Sequence, residues 1–191
     1  MLGGASGSLS LSAAEAKIAG AASYDGVGAA LAAMGDVDGD GREDFAVGAP
    51  DAGSSAQAGA VYVFFTLPSG SASVTDADVA VTGAASYDRL GLSIFGGDVD
   101  GDGLSDLVAG ADGEDTAGLG AGAALLWYGP LGASTPDATL IPDAANDDAG
   151  TSVGGADLDG NGAVDPLVGA PGNDRGATSA GALFVFGGGG I

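Results

Sequence analysis

Three copies of one acidic, glycine-containing loop constrain the fold of this chain more than any other feature. Each copy reads D-x-[DN]-x-[DN]-G-x-x-D without deviation, and the copies occupy residues 36–44, 98–106 and 157–165. A repeat of roughly 60 residues is typical of arrays in which each repeat is one supersecondary unit stacked on its neighbours. The sequence therefore predicts a repeat array rather than an irregular domain.

The residue types in each loop are those that bind a hard cation. Calcium takes six to eight oxygen ligands at about 2.3–2.6 Å, and side chains at positions 1, 3, 5 and 9, with the carbonyl of position 7, can converge on one ion. Glycines such as Gly39 and Gly41 allow the tight curl, because glycine tolerates positive φ. We predict three calcium sites, the third weakest because an Asn replaces a carboxylate. The ligands are Asp36, Asp38, Asp40, the carbonyl of Arg42 and Asp44; Asp98, Asp100, Asp102, the carbonyl of Leu104 and Asp106; and Asp157, Asp159, Asn161, the carbonyl of Ala163 and Asp165.

The loop matches an EF-hand only as far as position 9. An EF-hand needs a bidentate Glu at position 12 and flanking helices, but position 12 is Val47, Ala109 or Val168 here. Short apolar segments follow each loop, so the ion is predicted to lie in a turn between two strands. A solvated Asp-Gly turn without an ion is the alternative, and three copies of the same ligand set disfavour it.

Composition excludes several functional classes. The net charge is −22 with four basic residues, which makes nucleic acid a poor partner because phosphate binding depends on Lys and Arg. Without His or Cys, the commonest general base, Ser-His triads and thiolate metal sites are all absent. The chain is therefore predicted not to be an enzyme, with glycoside hydrolysis by paired carboxylates as a disfavoured alternative. The sequence contains no run of about 18 apolar residues, so no membrane-spanning helix is predicted. Calcium loops favour an extracellular or cell-surface location.

Comparison of the repeats predicts four short strands in each. An Ala-rich helix is an alternative for residues 13–19 and 29–34, but Ile94 and Phe95 at a matching position favour strand. Four short strands per repeat are typical of a β-propeller blade, so the predicted fold is all-β. The predicted segments are 28–34, 91–95 and 150–154 (first strands); 45–50, 107–112 and 166–171 (second); 59–65, 123–128 and 181–186 (third); and 77–82 and 137–141 (fourth), with 14–19 as a fourth-type strand before the first repeat.

With these acidic loops and strands, the chain resembles the FG-GAP repeat family, the blades of the integrin alpha-subunit propeller and its bacterial relatives. Gly-Ala-Pro follows the second strand at 48–50 and 169–171, and departs to Gly-Ala-Asp at 110–112. The Phe of the Phe-Gly pair is replaced by Val27, Leu90 and Ala149. The resemblance covers about residues 14–187. It implies calcium ions that stiffen each blade, a bacterial type of repeat, and a role in adhesion or surface assembly.

The predicted organisation leaves strands without partners. Residues 1–13 are predicted to be a flexible segment, 14–187 a three-blade array (blade motifs at about 20–83, 84–142 and 144–187) and 188–191 a Gly-rich tail. Closed propellers have four to eight blades. The third blade lacks a fourth strand, and unpaired strand edges attract pairing. The strand around Lys17 is therefore predicted to complete a blade of another chain, in a six-bladed dimer or a filament, unless the chain is part of a longer propeller.

Three other features of the sequence are candidates for ligand binding. Tyr24 and Tyr87 are predicted to pack between repeats rather than to form a binding rim, and Trp127 and Tyr128 to be buried rather than to form a sugar platform. The cluster Asp112, Glu114 and Asp115 is predicted to be a solvated loop rather than a further cation site.

The sequence as a whole predicts a calcium-binding structural or adhesion propeller that mediates protein–protein contact at the cell surface. A lectin-like propeller that binds carbohydrate or another ligand is the alternative. A non-catalytic accessory domain of a secreted enzyme is less favoured.

Overall fold

The computed structural model describes residues 10–53, 57–132 and 135–190. Within these ranges the chain is all-β apart from two three-residue 3-10 turns, Leu11–Ala13 and Val74–Asp76, which confirms the predicted fold class. The strands are β1 Ala16–Ala19, β2 Ala30–Gly35, β3 Asp44–Ala49, β4 Ala60–Phe64, β5 Gly70–Ser73, β6 Val79–Thr82, β7 Ser93–Gly97, β8 Asp106–Ala111, β9 Ala123–Trp127, β10 Ala138–Leu140, β11 Ser152–Ala156, β12 Asp165–Ala170 and β13 Ala182–Val185.

Three antiparallel sheets correspond to the three sequence repeats and have the form of propeller blades. Blade 1 has the strand order β2-β3-β4-β6, blade 2 the order β7-β8-β9-β10, and blade 3 the order β11-β12-β13. The first strands lie next to one another, because β2 contacts β7 and β7 contacts β11. The fourth strands β6 and β10 therefore lie at the outer edges of blades 1 and 2, and β13 occupies that edge in blade 3.

The hydrophobic core lies between the blades. Alternation along each strand sends one set of side chains towards the preceding blade and the other towards the next. Between blades 1 and 2 the buried cluster includes Met34, Val61, Val63, Leu107 and Trp127. Between blades 2 and 3 it is built on Val99, Val108, Ala124, Leu126 and Val168. The small residues allow sheets to approach closely, as the Ala- and Gly-rich composition predicts.

The first strands begin two residues later than predicted. Gly28, Gly91 and Gly150 have φ of 93°, 87° and 83°, a conformation that an extended strand does not contain. Each glycine therefore belongs to the turn that enters its blade. The helical alternative for residues 13–19 and 29–34 fails, because strands β1 and β2 lie there.

The prediction that the strand around Lys17 has no partner in its own chain is wrong. Strand β1 pairs in parallel with β5, with Lys17 opposite Ser71. Strand β5 was not predicted because Pro68, Ser69 and Gly70 indicate a turn, and Gly70 is the first residue of the Ser-rich strand. The pairing is peripheral, since no residue of β1 is buried.

The predicted terminal boundaries fall partly outside the described residues. Of the predicted flexible segment, residues 1–9 lie outside the described ranges and Leu11–Ala13 form a 3-10 turn. Residue 191 of the predicted tail also lies outside them. Gly188 and Gly189 donate their N–H groups to Asp165 Oδ1 and to the carbonyl of Val99, so the start of the tail contacts the second and third loops.

Candidate metal centre

The three acidic loops lie side by side, one per blade. Each loop joins the first and second strands of its blade, as predicted. Neighbouring loops are connected directly: the N–H of Ser105 donates to the carbonyl of Asp36 at 3.1 Å, and the N–H of Val164 donates to that of Asp98 at 2.7 Å. The candidate sites therefore form a continuous row along one side of the array.

The Asp at position 1 holds each loop in its curl. Asp36 accepts hydrogen bonds from the N–H groups of Gly39 (2.8 Å), Asp40 (3.1 Å) and Gly41 (2.9 Å). Gly39 and Gly41 have φ of 81° and 85°, which fits their predicted role in the turn. Asp157 accepts the equivalent three bonds in the third loop. The curl is thus formed by the loop's own backbone and side chains.

The structure brings carboxylates together in every loop. One oxygen from each member lies within 4.8 Å of the others in three groups: Asp36, Asp38 and Asp40; Asp98, Asp100 and Asp106; and Asp157, Asp159 and Asp165. The second and third loops thus gather positions 1, 3 and 9, whereas the first gathers positions 1, 3 and 5, without Asp44. Such crowding of like charges is unfavourable unless a cation offsets it.

The predicted ligands at positions 5 and 7 of each loop are connected by a hydrogen bond. The side chain at position 5 accepts the N–H of position 7 in every copy: Arg42 donates to Asp40 at 2.9 Å, Leu104 to Asp102 at 2.7 Å, and Ala163 to Asn161 at 2.7 Å. This bond places positions 5 and 7 side by side. The carbonyls of Arg42, Leu104 and Ala163 remain predicted ligands.

The Asp at position 9 is buried in each copy and connects the loop to its sheet. Oδ2 accepts the N–H of position 2 at 2.8 Å in Asp44, 2.7 Å in Asp106 and 2.8 Å in Asp165. Oδ1 accepts the N–H of Gly129 in the second blade and of Gly188 in the third. Those donors lie 23 residues further along the chain, so local spacing could not reveal them.

Asp44 Oδ1 differs from its counterparts, because it is buried and has no hydrogen-bond partner among the described residues. A buried carboxylate oxygen without a partner is costly, and a cation in the first loop would supply one. Burial raises the pKa of Asp44 and of Asp106. The N–H groups of Gly188 and Leu158 lower the pKa of Asp165. The all-oxygen donor set, crowded and partly unsatisfied, fits a hard cation such as calcium.

A second set of buried acids lies in the turns that enter the blades, and sequence reasoning missed it. Asp25, Asp88 and Asp147 are all buried. Asp25 accepts the N–H of Ala22 and Asp88 that of Ala85, both at 2.7 Å, whereas Asp147 accepts the side-chain amide of Asn173. The repeated segments 21–25 and 84–88 were the available signal. They mark a turn whose carboxylate caps its own backbone.

The prediction that Tyr24 and Tyr87 pack between repeats is wrong. Their side chains are 92% and 58% exposed. Both have φ of 71°, and Asn146 takes a similar conformation at the matching position of blade 3. This left-handed turn points the side chain towards solvent, and it is unusual for a bulky residue. The two segments match closely in sequence, which favoured packing between repeats, but a sequence match does not indicate the direction in which the tyrosine side chains point.

We expect Asp88 to make the calcium-free protein more stable as pH falls. Burial raises the pKa of Asp88, and the carboxylates of Glu114 and Asp115 add to the rise. The folded state therefore binds this proton more tightly than the unfolded state, and its stability rises as pH falls from neutral through the raised pKa. Urea unfolding at pH 7 and pH 5 should show this rise, and Asp88→Asn should flatten it and stabilise the protein at pH 7. Glu43→Gln controls for net charge. A rise in Asp88→Asn at least as steep as that of the unmodified protein would contradict the assignment.

Arg89 and Asp112 form an ion pair that accounts for one departure from the repeat pattern. Arg89 Nη1 donates to both carboxylate oxygens of Asp112, at 3.2 and 2.8 Å. Asp112 stands where the other copies have Pro, and Arg89 stands where they have Gly26 and Asp148. The acidic cluster at 112–115 is therefore only partly a solvated loop.

This ion pair should contribute little to stability because Arg89 is half-exposed. We expect Arg89→Ala and Asp112→Ala to couple by about 1 kcal/mol or less in a double-mutant cycle. Urea unfolding of both single variants and the double variant measures the coupling. Strict additivity of the two single effects would show that the pair contributes nothing.

The prediction that Trp127 is buried is confirmed, since only 2% of it is exposed. Its ring face is therefore not available as a platform for a sugar. A cavity of about 460 Å³ opens beside it between blades 1 and 2, lined in part by Leu90, Leu125 and Ile141. Tyr128, the next residue, is partly buried and packs against the core between blades 2 and 3.

Comparison with known proteins agrees with the architecture. A family model described as FG-GAP repeat matches residues 27–64 and 90–127. Integrin alpha-5 of Xenopus laevis is 42% identical over 96 residues, covering 49% of this chain and 9% of the relative. Integrin alpha-IIb of Mus musculus is 34% identical over 165 residues, and that of Homo sapiens 35% over 163 residues; each alignment covers 81% of this chain and 15% of the relative.

The chain thus spans a small part of the length of these relatives. All three relatives are vertebrate proteins, so the bacterial type suggested by the resemblance is not supported. Within the described ranges, no helix is long and apolar enough to cross a membrane. The matched repeats coincide with blades 1 and 2 and include their acidic loops. The chain therefore contains FG-GAP repeats, the family that its sequence predicts.

Proposed function

We propose that the chain is a calcium-braced array of blades that mediates protein–protein contact at the cell surface. The observation that carries the proposal is the row of acidic loops, in which each loop gathers three carboxylates within 4.8 Å. Integrin alpha chains, which the sequence matches, provide the analogy for adhesion.

The loop residues would act by fixing the hairpin of each blade. In blade 2, Asp98 and Asp100 follow the end of β7, and Asp106 begins β8. Carboxylates from the two sides of the loop that share one ion would hold the two strands together at the loop end. Bound calcium supplies the positive charge that offsets their mutual repulsion. The blade then presents its turns from a stiff support.

The proposed role is structural rather than enzymatic, and its setting is extracellular. The acidic loops are assigned to cation binding, and the chain has no His or Cys to serve as a base or nucleophile. Extracellular modules with such loops bind calcium with dissociation constants on the order of 10⁻⁴–10⁻³ M. A calcium-rich exterior would keep sites of this strength filled.

Calorimetric titration tests the calcium part of this proposal. We expect three calcium ions per chain, and two after Asp38→Asn, Asp100→Asn or Asp159→Asn, each of which alters position 3 of one loop. Glu43→Gln removes a neighbouring exposed charge and should leave three. Absence of binding, or an unchanged stoichiometry in all three variants, would overturn the assignment of the sites.

Cell attachment tests the adhesion part. Cells should attach to a surface coated with the protein in calcium, and attachment should fall to the level of an albumin-coated surface in chelator. Attachment that persists in chelator would argue against a calcium-braced contact surface. Absence of attachment in both conditions, with calcium bound, would restrict the role to structure.

A further inference from the structure

The cavity of about 460 Å³ between blades 1 and 2 is the largest feature of the structure that the acidic loops do not explain. Blade 2 supplies one wall, because residues two apart on a strand point to the same face of a sheet. Leu125 and Trp127 of β9 line the cavity, together with Thr139 of β10, which pairs with Leu125. Leu90 and Ile141 add further apolar side chains. The volume lies within the range of about 300–1,000 Å³ found for sites that hold small organic ligands.

Two carboxylates, Asp88 and Glu114, line the same cavity. Asp88 is buried, and its Oδ2 accepts the N–H of Ala85 at 2.7 Å. Glu114 accepts the N–H of Thr116 at 2.9 Å. Neither acid forms an ion pair with another residue that the structure describes. The cavity thus combines apolar walls with negative charge that no such pair neutralises.

Comparison with blade 3 shows that this pair of acids lacks a hydrogen-bond donor. Asp147 and Asn173 lie 59 residues after Asp88 and Glu114, the spacing that also separates the second and third acidic loops (157 − 98). In blade 3 the side-chain amide of Asn173 donates to Asp147 at 2.8 Å. An ionised Glu can only accept hydrogen bonds. The pair in blade 2 therefore faces the cavity without the donor that blade 3 supplies from its own chain.

An organic ammonium ion fits this cavity better than a metal ion does. Calcium requires six to eight oxygen ligands, whereas most of the lining is apolar. An ammonium group brings a positive charge and three N–H donors, and its hydrogen bonds to carboxylates are among the strong ones. The apolar part of such a molecule would cover Ile141, which is 45% exposed.

We propose that the cavity binds a small organic amine. The ammonium group of the amine donates to the carboxylates of Asp88 and Glu114, and its apolar part lies against Leu125 and Ile141. Burial and the neighbouring Glu114 carboxylate both raise the pKa of Asp88, so a cation placed between the two acids offsets an existing cost. The inference does not depend on the proposed calcium function, because the cavity lies beside the turn that enters blade 2 and not at an acidic loop.

The test uses three small molecules that share one apolar part. At pH 7, 4-phenylbutylamine is a cation, 4-phenylbutan-1-ol is neutral and 4-phenylbutyrate is an anion. Calorimetric titration in saturating calcium should show one amine site per chain. The alcohol should bind about tenfold more weakly or less, since it lacks the charged hydrogen bonds, and the carboxylate should not bind. Equal binding of the amine and the alcohol, or binding of the amine only in chelator, would overturn the proposal.

Butylamine distinguishes a free amine from the lysine side chain of a partner protein, because it has the length of that side chain and no phenyl ring. It should bind about tenfold more weakly than 4-phenylbutylamine, since the apolar wall stays uncovered. Equal binding of the two amines would overturn the assignment to a small molecule and would favour a lysine side chain.

Trp127 reports where the amine binds, since it is the only tryptophan of the chain. Its fluorescence should change along the same saturation curve as the heat of binding. Glu114→Gln should weaken binding by about fivefold or more, and Glu43→Gln, the same change away from the cavity, should have no effect. Equal effects of the two variants, or saturable heat without a change in fluorescence, would place the amine elsewhere and overturn the proposal.

A variant that fills the cavity gives an independent test. Thr139 is exposed on one side of the cavity, so Thr139→Phe should preserve the circular dichroism spectrum and abolish binding of 4-phenylbutylamine. Thr75→Phe is the control, because Thr75 is also exposed and does not line the cavity. Unchanged binding in a folded Thr139→Phe variant would overturn the assignment of the cavity.

Discussion

Removal of calcium is expected to lower the free energy of unfolding by about 2.7 kcal/mol for each loop that had been held at ~100 times its dissociation constant. The reason is linkage: the ion binds the folded loop, whose carboxylates are gathered, and not the unfolded chain. Three such loops amount to about 8 kcal/mol, comparable to the whole stability of a typical domain. The calcium-free chain should therefore be much less stable than the calcium-loaded chain.

Urea unfolding followed by circular dichroism, in calcium and in chelator, measures this loss. Asp100→Asn should remove about a third of the difference, since one loop of three is altered, and Glu43→Gln should remove none. Equal unfolding midpoints in calcium and chelator would show that the loops contribute nothing to stability. A loss in Glu43→Gln as large as in Asp100→Asn would show that net charge, not the site, is responsible.

Leu107→Ala is expected to destabilise the protein by about 2–5 kcal/mol, the range for removing a large side chain from a packed core. Leu107 is fully buried between blades 1 and 2, in the cluster that contains Met34, Val63 and Trp127. Its loss leaves a cavity at the interface of two sheets, so both blades should be affected.

The matched control is Leu119→Ala, which removes the same atoms from an exposed position and should change stability by no more than about 0.5 kcal/mol. The urea midpoint of each variant gives the comparison, with the slope of the transition expected to stay constant. Similar effects of the two changes would contradict the assignment of the core to the space between blades.

The repeats made most of the fold predictable, because three aligned copies showed which features belong to a blade and which are incidental. The strands on either side of each acidic loop follow from the apolar segments that flank it. The partner of β1 did not follow, since β5 is Ser-rich and begins at the Gly of a Pro-Ser-Gly segment that indicates a turn. Its parallel pairing connects positions far apart in the chain, and local pattern carries no information about such contacts.

The residue types of the candidate site were predictable from the sequence, but its hydrogen-bond partners were predictable only in part. Ligand spacing placed the acidic loops, but the donors to Asp106 and Asp165 come from Gly129 and Gly188 beyond the third strands. With no corresponding donor among the residues that the structure describes, Asp44 retains an unpaired oxygen. The outward direction of Tyr24 depends on its positive φ, which a Tyr in the sequence does not indicate.

The hydrogen bonds between neighbouring loops imply that the sites would not fill independently. The middle loop is joined to the first through Ser105 and Asp36, and to the third through Val164 and Asp98. An ion that orders the middle loop reduces the entropy that either neighbour must lose on binding, and by thermodynamic reciprocity each neighbour favours the middle site equally. Uptake along the row would then be cooperative, with a Hill coefficient above one. Blades would stiffen together over a narrow interval of calcium concentration.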